Sequence, residues 1–210
     1  MTAPLTALAF GPPGAPGVLL LHPWWGVTPA VVGWAQALAG AGRRVLVPDL
    51  YDGRVVETVT GSIPQAEALA DALEHATVLS RLAPLADELA ATGAPWAAEG
   101  FSLGGFLASS LGAGGTAAPA ELVLVYGGHP PVPGTAVPHH VEVHAADADP
   151  WFTDDELADV AAGYRAAGAD VVIHRYPGCG HWFAEDGSPG YDAAGAALAR
   201  QRVLARLTAP

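Results

Sequence analysis

A serine flanked by glycines stands out in the stretch Gly100-Phe101-Ser102-Leu103-Gly104. This G-x-S-x-G pattern is typical of a nucleophile at a sharp turn between a strand and a helix, where the serine has strained backbone angles and the glycines avoid steric clashes. The same residues also fit an ordinary Gly-rich turn with a solvent-facing serine, because short motifs often occur by chance. The partners available elsewhere in the chain must decide between these two interpretations.

A serine hydroxyl is a weak nucleophile at neutral pH, so it needs a general base, and the base needs an acid that fixes its tautomer. His181, in a Gly-rich segment after an apolar run, is the predicted base, and we expect a mobile, exposed imidazole. Asp147 and Asp149 are both candidates for the acid. We favour Asp149, because a carboxylate at the turn before Pro150 can point toward the histidine, whereas Asp147 suits a strand end or a turn cap. Serine, acid and histidine then follow the order expected of this kind of site.

Acyl transfer also requires N–H donors where negative charge develops on the attacked carbonyl oxygen. The amide of Leu103, directly after the serine, is one predicted donor. The amide of Trp24, in the loop after the first apolar run, is the other, because Pro23 has no N–H to donate. Aromatic side chains near these loops are predicted to line the substrate pocket, with the alternative that one of two adjacent tryptophans packs in the core. The predicted pocket residues are Trp25, Phe101, Trp151 and Trp182.

The other histidines are given structural interpretations. His139, His140 and His144 are taken as surface or strand-end residues rather than a metal site, because no carboxylate or cysteine is seen to complete a ligand set. His22 suits a neutral, buried role. His129 follows an apolar run and could line the pocket, but we favour an ordinary loop residue. The sequence therefore predicts no metal site.

Short apolar runs alternate with segments of helical periodicity. Several runs are continuously apolar, which is typical of parallel strands covered on both faces. Thr153 with Glu156 three residues later forms a capping-box pattern, and the stretch Ile63–Thr92 predicts two helices or one helix broken near Pro84. Alternating elements predict an α/β fold, a mostly parallel central sheet with helices on both faces, as a single domain over residues 1–210. The predicted strands begin at Gly17, Arg43, Trp96, Glu121, Val141 and Asp170.

Composition and charge exclude several classes of protein. The chain has 210 residues, 51% of them hydrophobic, and a formal net charge of −12. Nucleic acids and anionic membrane surfaces are therefore unsuitable partners, because both attract clustered positive charge. The one cysteine, Cys179, allows no internal disulfide and is interpreted as a small, partly buried thiol. With no secretory signal or membrane-spanning run in the sequence, we expect a cytoplasmic protein.

The chain resembles the dienelactone hydrolase family of α/β-hydrolases. The resemblance rests on the segments HPWWGVTPAVVGWAQALAGAGRRVLVPDLYDG, EGFSLGGFLA, AADADPWF, YPGCGHWFA and YDAAGAALARQRVLARL, which occur in this order over nearly the full length. It implies the α/β-hydrolase fold, an ester or lactone hydrolase without a cofactor, a monomer or weak homodimer, and Ser102, Asp149 and His181 at the triad positions. Well-known members use cysteine as nucleophile and carry a supporting glutamate, where this chain has Ser102 and Pro23. A conventional Ser-His-Asp mechanism is consistent with both changes.

A further departure concerns the substrate. Members that cleave dienelactone carry an arginine a few residues beyond the histidine, whereas this chain has Glu185 there. An acidic residue would repel an anionic substrate, so dienelactone is not the expected substrate, although Arg54 or Arg81 could reach the pocket. The prediction is a hydrolase of small to medium carboxylic esters or lactones. The alternatives are a thioesterase or peptidase-like hydrolase with the same triad, and a non-catalytic binding or regulatory module that retains the fold.

Overall fold

The computed structural model describes residues 5–58, 63–113 and 115–208. Within these ranges one sheet contains the strands β1 (Ala7–Phe10), β2 (Gly17–Leu21), β3 (Arg44–Pro48), β4 (Ala97–Phe101), β5 (Glu121–Val125), β6 (His140–Ala148) and β7 (Asp170–Gly180). Their order across the sheet is β1-β3-β2-β4-β5-β6-β7. β1 pairs with β3 in antiparallel orientation, and the other pairs are parallel. The predicted α/β fold with a mostly parallel sheet is confirmed.

The helices of the described ranges are α1 (Pro29–Gly40), α2 (Ile63–Asp71), α3 (His75–Ala90), α4 (Leu103–Ala108), α5 (Asp154–Ala166) and α6 (Ala193–Leu207). The capping box predicted from Thr153 and Glu156 is present at the start of α5. Asp192 caps α6 by accepting a hydrogen bond from the Gly195 N–H at 2.7 Å. These side chains satisfy N–H groups that the first turn of a helix leaves unpaired. No helix in the described part of the chain is long and apolar enough to cross a bilayer.

The continuous apolar runs are explained by packing on both faces of the sheet. On one face, alternate strand residues such as Leu19 and Val143 join a core with α3, α4 and α5. On the other face, residues such as Val18 and Val123 join a core with α1 and α6. Because neighbouring residues of a strand point to opposite faces, a strand covered on both sides must be apolar throughout. The predicted helices on both faces are confirmed.

Two details differ from the sequence-based expectations. β1 was not predicted; it is a short edge strand with only partial burial, so it lacks the apolar run that marks the central strands. The region Ile63–Thr92 does contain two helices, but they separate between Asp71 and His75, and Pro84 lies inside α3. Pro84 has no N–H to donate to the Ser80 carbonyl one turn earlier. Both residues are exposed, so water can bind this carbonyl instead. The buried side chains of α3 hold the helix together across the proline.

The parallel strands assemble the loops of the candidate site at one edge of the sheet. The chain leaves β2, β4, β5, β6 and β7 at their carboxyl ends, which lie on the same side because these strands are parallel. Open parallel sheets bind ligands at this edge. The predicted serine, acid and histidine each follow one of these strand ends.

Candidate active site

Ser102 lies at a strained turn between β4 and α4. Its backbone φ is 51° and its ψ is −113°, in a region that residues with a Cβ rarely adopt. A Cβ on Gly100 would collide with the backbone of Gly104, one on Gly104 with the carbonyl of Leu21, and one on Gly105 with the carbonyl of Gly127. The glycines are therefore required by close backbone contacts on three sides. An ordinary flexible Gly-rich turn does not fit this geometry.

His181 connects Ser102 to an acidic partner. The Nε2 atom of His181 lies 2.9 Å from Ser102 Oγ, and its Nδ1 atom lies 2.8 Å and 2.7 Å from the two carboxylate oxygens of Asp149. A carboxylate can only accept, so Nδ1 carries the proton in the neutral ring and Nε2 is free to accept from the serine hydroxyl. This arrangement has the tautomer that a general base for Ser102 requires.

The expectation of a mobile, exposed imidazole at His181 is wrong. Its side chain is 3% exposed, because β7 continues as far as Gly180 and delivers the ring directly against the sheet edge. The centroids of the Tyr126, Trp151 and Trp182 rings lie 5.0, 5.3 and 5.0 Å from that of the imidazole. The packed rings fix the orientation of the histidine and exclude water from its faces.

Asp149 and Asp147 occupy different environments. The Asp149 side chain is 1% exposed, and its Oδ1 also accepts hydrogen bonds from the N–H groups of Trp151 and Phe152, both at 2.9 Å. The turn after β6 therefore orients this carboxylate and supplies two of its hydrogen-bond donors. Asp147 is 41% exposed and its carboxylate lies 3.2 Å from the Arg175 guanidinium. Among the two candidates for the acid, the structure brings Asp149 to the histidine.

The two predicted oxyanion donors come from the loop after β2 and from the start of α4. Leu103 is the first residue of α4, so its N–H has no partner within the helix, and Trp24 lies in the loop after β2. Neither N–H donates a hydrogen bond within the described residues, and both residues line the cavity next to Ser102. The structure thus leaves two backbone donors available beside the serine hydroxyl.

His22 anchors the loop that carries Trp24. Its Nδ1–H donates to the Pro23 carbonyl at 2.7 Å, and its Nε2 accepts from the Leu50 N–H at 3.1 Å. Both ring nitrogens are therefore used by a neutral imidazole, and burial lowers the pKa of His22 to about 4. His22 is buried, as predicted, and it joins the loop after β2 to the chain at the end of β3.

A cavity of about 460 Å³ opens above Ser102. Of the predicted pocket residues, Trp151 lines it. The other three, Trp25, Phe101 and Trp182, are buried in the core instead. Phe101 immediately precedes Ser102 and points to the opposite face, where it packs on Trp34 with 5.0 Å between ring centroids. The lining also includes Trp24, Leu103, Phe106, Tyr126, His129, Phe152 and Val160.

Trp25 and Trp182 do not line the cavity because both rings pack behind its wall. Their ring centroids lie 5.0 Å apart, and the Trp182 ring in turn packs against Trp151 at 4.7 Å. Trp182 supports the pocket wall from behind, and Trp25 supports Trp182. The neighbouring residues Trp24 and Trp25 differ in position. Trp24 lines the cavity, whereas Trp25 is buried in the core.

His129 lines the cavity, so the interpretation as an ordinary loop residue is wrong. Its Nδ1–H donates to the Pro130 carbonyl at 2.6 Å, and its Nε2 accepts from the Ser110 hydroxyl at 2.8 Å. Burial lowers the pKa of His129, which favours the neutral ring. With both nitrogens occupied, His129 presents an uncharged ring to the cavity. The position of His129 just after the β5 end was the sequence signal for it.

Glu185 does not lie in the cavity wall, which corrects the role expected from the sequence. It is 3% exposed and accepts a 2.6 Å hydrogen bond from the Tyr126 hydroxyl, behind the face of Tyr126 that meets the cavity. Burial raises its pKa to about 8, so the carboxyl is mostly protonated at neutral pH. Glu185 therefore supports a wall residue and contributes no negative charge to bound substrate.

The charges of the cavity come instead from α5. Glu156 and Asp159 line it, whereas the described lining contains no arginine or lysine. Arg54 donates to the Tyr51 carbonyl and Arg81 pairs with Asp52, and both lie outside the lining. The negative charge that would disfavour an anionic substrate therefore comes from Glu156 and Asp159, and not from Glu185 as expected from the sequence.

One side-chain cluster lies away from this cavity and corrects the argument against metal ligands. Glu142 lies beside His144 and His174, and the ligand atoms of all three are within 4.8 Å of one another. A carboxylate does accompany these histidines. The cluster is not apparent from the sequence, because Glu142 and His144 are two residues apart on one strand while His174 comes from the next.

One family model matches nearly the whole chain. The model described as the dienelactone hydrolase family matches residues 5–209. The chain belongs to the dienelactone hydrolase family. Curated protein sequences give no significant match to the chain. The family assignment therefore rests on the match over nearly the whole chain.

Solved structures share the fold at low sequence identity. The structure of m3DLH is 24% identical, with a TM-score of 0.74 over 92% of this chain and 85% of that one. The dienelactone hydrolase-like promiscuous phosphotriesterase P91 from metagenomic libraries is 22% identical, with a TM-score of 0.71 over 98% of both chains. Esterase Est2 of the planctomycete Thermogutta terrifontis is 16% identical, with a TM-score of 0.63 over 96% and 87%. These similarities establish the α/β-hydrolase fold.

Replacing His22 by asparagine should reduce the pH dependence of stability below neutrality. The folded pKa of about 4 lies below the ordinary 6.5, so the unfolded chain binds the extra proton between these values. The free energy of unfolding then falls as the pH falls from 6.5 to 4, by about 1.4 kcal/mol per pH unit for this group. Asparagine keeps an N–H donor and does not titrate. Urea unfolding at several pH values checks the slope, with His140→Asn as an exposed control; equal slopes for wild type and His22→Asn would contradict the prediction.

Glu185→Gln should have the opposite pH signature. The folded state holds the Glu185 proton more tightly than the unfolded chain, so its contribution to stability is complete below pH 4.5 and is lost as the pH rises to about 8. Glutamine still accepts from Tyr126 but cannot ionise, so we expect a shallower loss of thermal stability across that range. Asp186→Asn, an exposed neighbour, is the control. A variant that loses stability with pH as steeply as the wild type would refute this account.

Proposed function

We propose that the chain is a serine hydrolase that cleaves small to medium carboxylic esters or lactones. The observation that carries the proposal is the continuous contact from Ser102 Oγ through His181 to Asp149, with 2.9 Å at the first step and 2.7 Å at the second. A serine, a histidine and an aspartate joined in this way are the groups that activate a hydroxyl for attack on a carbonyl. A non-catalytic module would not need this pairing at a strained turn.

The proposed reaction has two stages. Ser102 Oγ attacks the carbonyl carbon while His181 Nε2 takes the hydroxyl proton, and the N–H groups of Leu103 and Trp24 stabilise the oxyanion. His181 then donates the proton to the leaving oxygen, which departs as an alcohol or remains attached when the substrate is a lactone. Water, deprotonated by His181, releases the acyl group and restores the serine. Asp149 holds the ring and stabilises the imidazolium during both stages.

The serine and its surroundings agree with this choice of nucleophile. Pro23 occupies the position that the family resemblance assigns to a glutamate supporting a cysteine thiolate. A serine is activated by its histidine and is not stored as an anion, so it needs no such carboxylate. Cys179 lies on β7, is buried, and its pKa is raised by burial. That environment favours the inert thiol over the reactive thiolate.

The substrate proposed for this site is neutral and of modest size. The cavity of about 460 Å³ is within the range of pockets that hold small molecules, and its wall is largely aromatic. Glu156 and Asp159 would repel a substrate carboxylate, and no lining arginine or lysine offsets them among the described residues. We therefore propose that dienelactone, which carries a carboxylate, is a poor substrate. The triad alone does not select the leaving group, so thioesters and peptides belong in the substrate panel.

Ser102→Ala should abolish hydrolysis of p-nitrophenyl acetate and butyrate. We expect a fall in kcat of at least about 1,000-fold, because removal of a triad nucleophile leaves only binding and the oxyanion donors. The exposed Ser80→Ala is the matched control and should retain activity. A fluorophosphonate probe should label the wild type and not Ser102→Ala. Activity or labelling that survives in Ser102→Ala would overturn the assignment, and an unlabelled wild type would favour the binding-module alternative.

Asp159→Asn should improve the relative hydrolysis of an anionic ester. A charge within a few ångströms in a hydrated site is worth about 1 kcal/mol, so kcat/KM for a p-nitrophenyl hemisuccinate should rise roughly fivefold against p-nitrophenyl butyrate. Asp155→Asn is the control, because Asp155 lies on the same helix outside the cavity lining. An ester with a quaternary ammonium group should respond in the opposite direction. Equal changes for Asp159→Asn and Asp155→Asn would refute the role of Asp159.

A further inference from the structure

A cluster of metal-ligating side chains lies on β6 and β7, away from the proposed catalytic groups. Glu142 and His144 are two residues apart on β6, so both point to the same face of the sheet. His174 is the partner of His144 in the parallel register with β7. The three side chains therefore converge because of strand geometry: two come from alternate positions of one strand and the third comes from directly across.

The distances between the ligand atoms suit a shared cation. Glu142 Oε1 lies 2.8 Å from His174 Nε2 and 3.1 Å from His144 Nε2. Ligands about 2.0–2.1 Å from a tetrahedral zinc ion are separated by roughly 3.3 Å, so only small movements would admit the ion. Glutamate oxygen and imidazole nitrogen are both ordinary zinc ligands.

Two of these atoms lie close together without forming a good hydrogen bond. Despite the short distances, Glu142 Oε1 and His144 Nε2 are buried and have no hydrogen-bond partner of acceptable geometry within the described ranges. Buried polar atoms are normally hydrogen-bonded, and an unpaired one is costly. A cation bound between these atoms would satisfy the carboxylate oxygen and the imidazole nitrogen together.

Tyr176 supports the proposed ligand His144 from behind. The hydroxyl of Tyr176 lies 2.6 Å from Nδ1 of His144, the ring atom opposite the proposed ligand atom. With a metal on Nε2, the ring carries its proton on Nδ1 and donates it to the Tyr176 oxygen. Such partners orient a ligating imidazole and raise its basicity.

The ligand types and the exposure favour a particular class of cation. The cluster combines one carboxylate with two imidazoles, whereas Ca²⁺ and Mg²⁺ prefer sites built from oxygen ligands. Two imidazoles favour Zn²⁺ and similar transition metals. The His174 side chain is 23% exposed, whereas His144 is fully buried, so the cluster opens to solvent on the His174 side.

We propose that Glu142, His144 and His174 form a binding site for Zn²⁺, with one coordination position open toward the exposed side of His174. The ion would join β6 to the edge strand β7. It takes no part in the proposed hydrolysis, because none of its ligands contacts Ser102, His181 or Asp149. Its test is therefore independent of the proposed function.

Isothermal titration with ZnCl₂ tests the site, using full-length, tag-free protein first treated with a chelator. We expect one equivalent to bind, with loss of that binding in His174→Ala, whose target side chain is partly exposed. His140→Ala is the matched control, because His140 and Asp170 form an ordinary exposed pair 3.1 Å apart on the same two strands. Tyr176→Phe should weaken binding by about 10- to 100-fold, because the His144 ring loses the hydroxyl that orients it.

Two further measurements keep the outcomes distinct. Circular dichroism and thermal unfolding without metal establish that each variant is folded before its titration is interpreted. Co²⁺ in place of Zn²⁺ should give the intense visible bands of a four-coordinate site in the wild type and in His140→Ala, and not in His174→Ala. The proposal is overturned if zinc binds folded His174→Ala as tightly as wild type, if His140→Ala alone loses binding, or if wild type binds no stoichiometric zinc.

Discussion

The backbone of Ser102 is the constraint on which the rest of the site depends. A φ of 51° turns the chain from β4 directly into α4, so that the hydroxyl projects over the sheet edge and the N–H of Leu103 remains unpaired. Strain of this kind costs about 1–3 kcal/mol and persists only where packing enforces it. Here close backbone contacts hold the turn in place: Gly104 lies against the end of β2, and Gly105 lies against the chain after β5. The proposed nucleophile and one proposed oxyanion donor are thus products of a single turn.

The parallel sheet explains why part of the site could be predicted from sequence. Strand ends that share one edge bring Asp149 and His181 to Ser102, although these residues follow Ser102 by 47 and 79 positions in the sequence. The apolar runs that mark the strands can be recognised in the sequence alone. The pocket wall was harder to predict because it depends on single-residue alternation. Phe101 precedes Ser102 by one position and enters the opposite core, and Trp25 does the same beside Trp24.

Burial, rather than residue type, decides the electrostatics around the site. Glu185 and His22 would both be described as ionisable from the sequence, yet one holds a proton and the other lacks one near neutral pH, because each charged form would lose hydration in the core. Neutral His22 can then anchor the loop after β2, and neutral Glu185 can support Tyr126. The negative charges of the cavity come from Glu156 and Asp159 on α5, a helix for which the sequence suggested only a structural role.

The same two strands carry both the candidate catalytic pair and the proposed zinc ligands. β6 holds Glu142 and His144 and ends next to Asp149, while β7 holds His174 and ends next to His181. Because β7 is the edge strand, it is paired on one side only, and its position relative to β6 fixes how Asp149 meets the imidazole. Sequence spacing alone could not reveal this relation, since it arises from the register that sets His144 opposite His174. A cation shared between the strands would strengthen the one pairing that holds acid and base together.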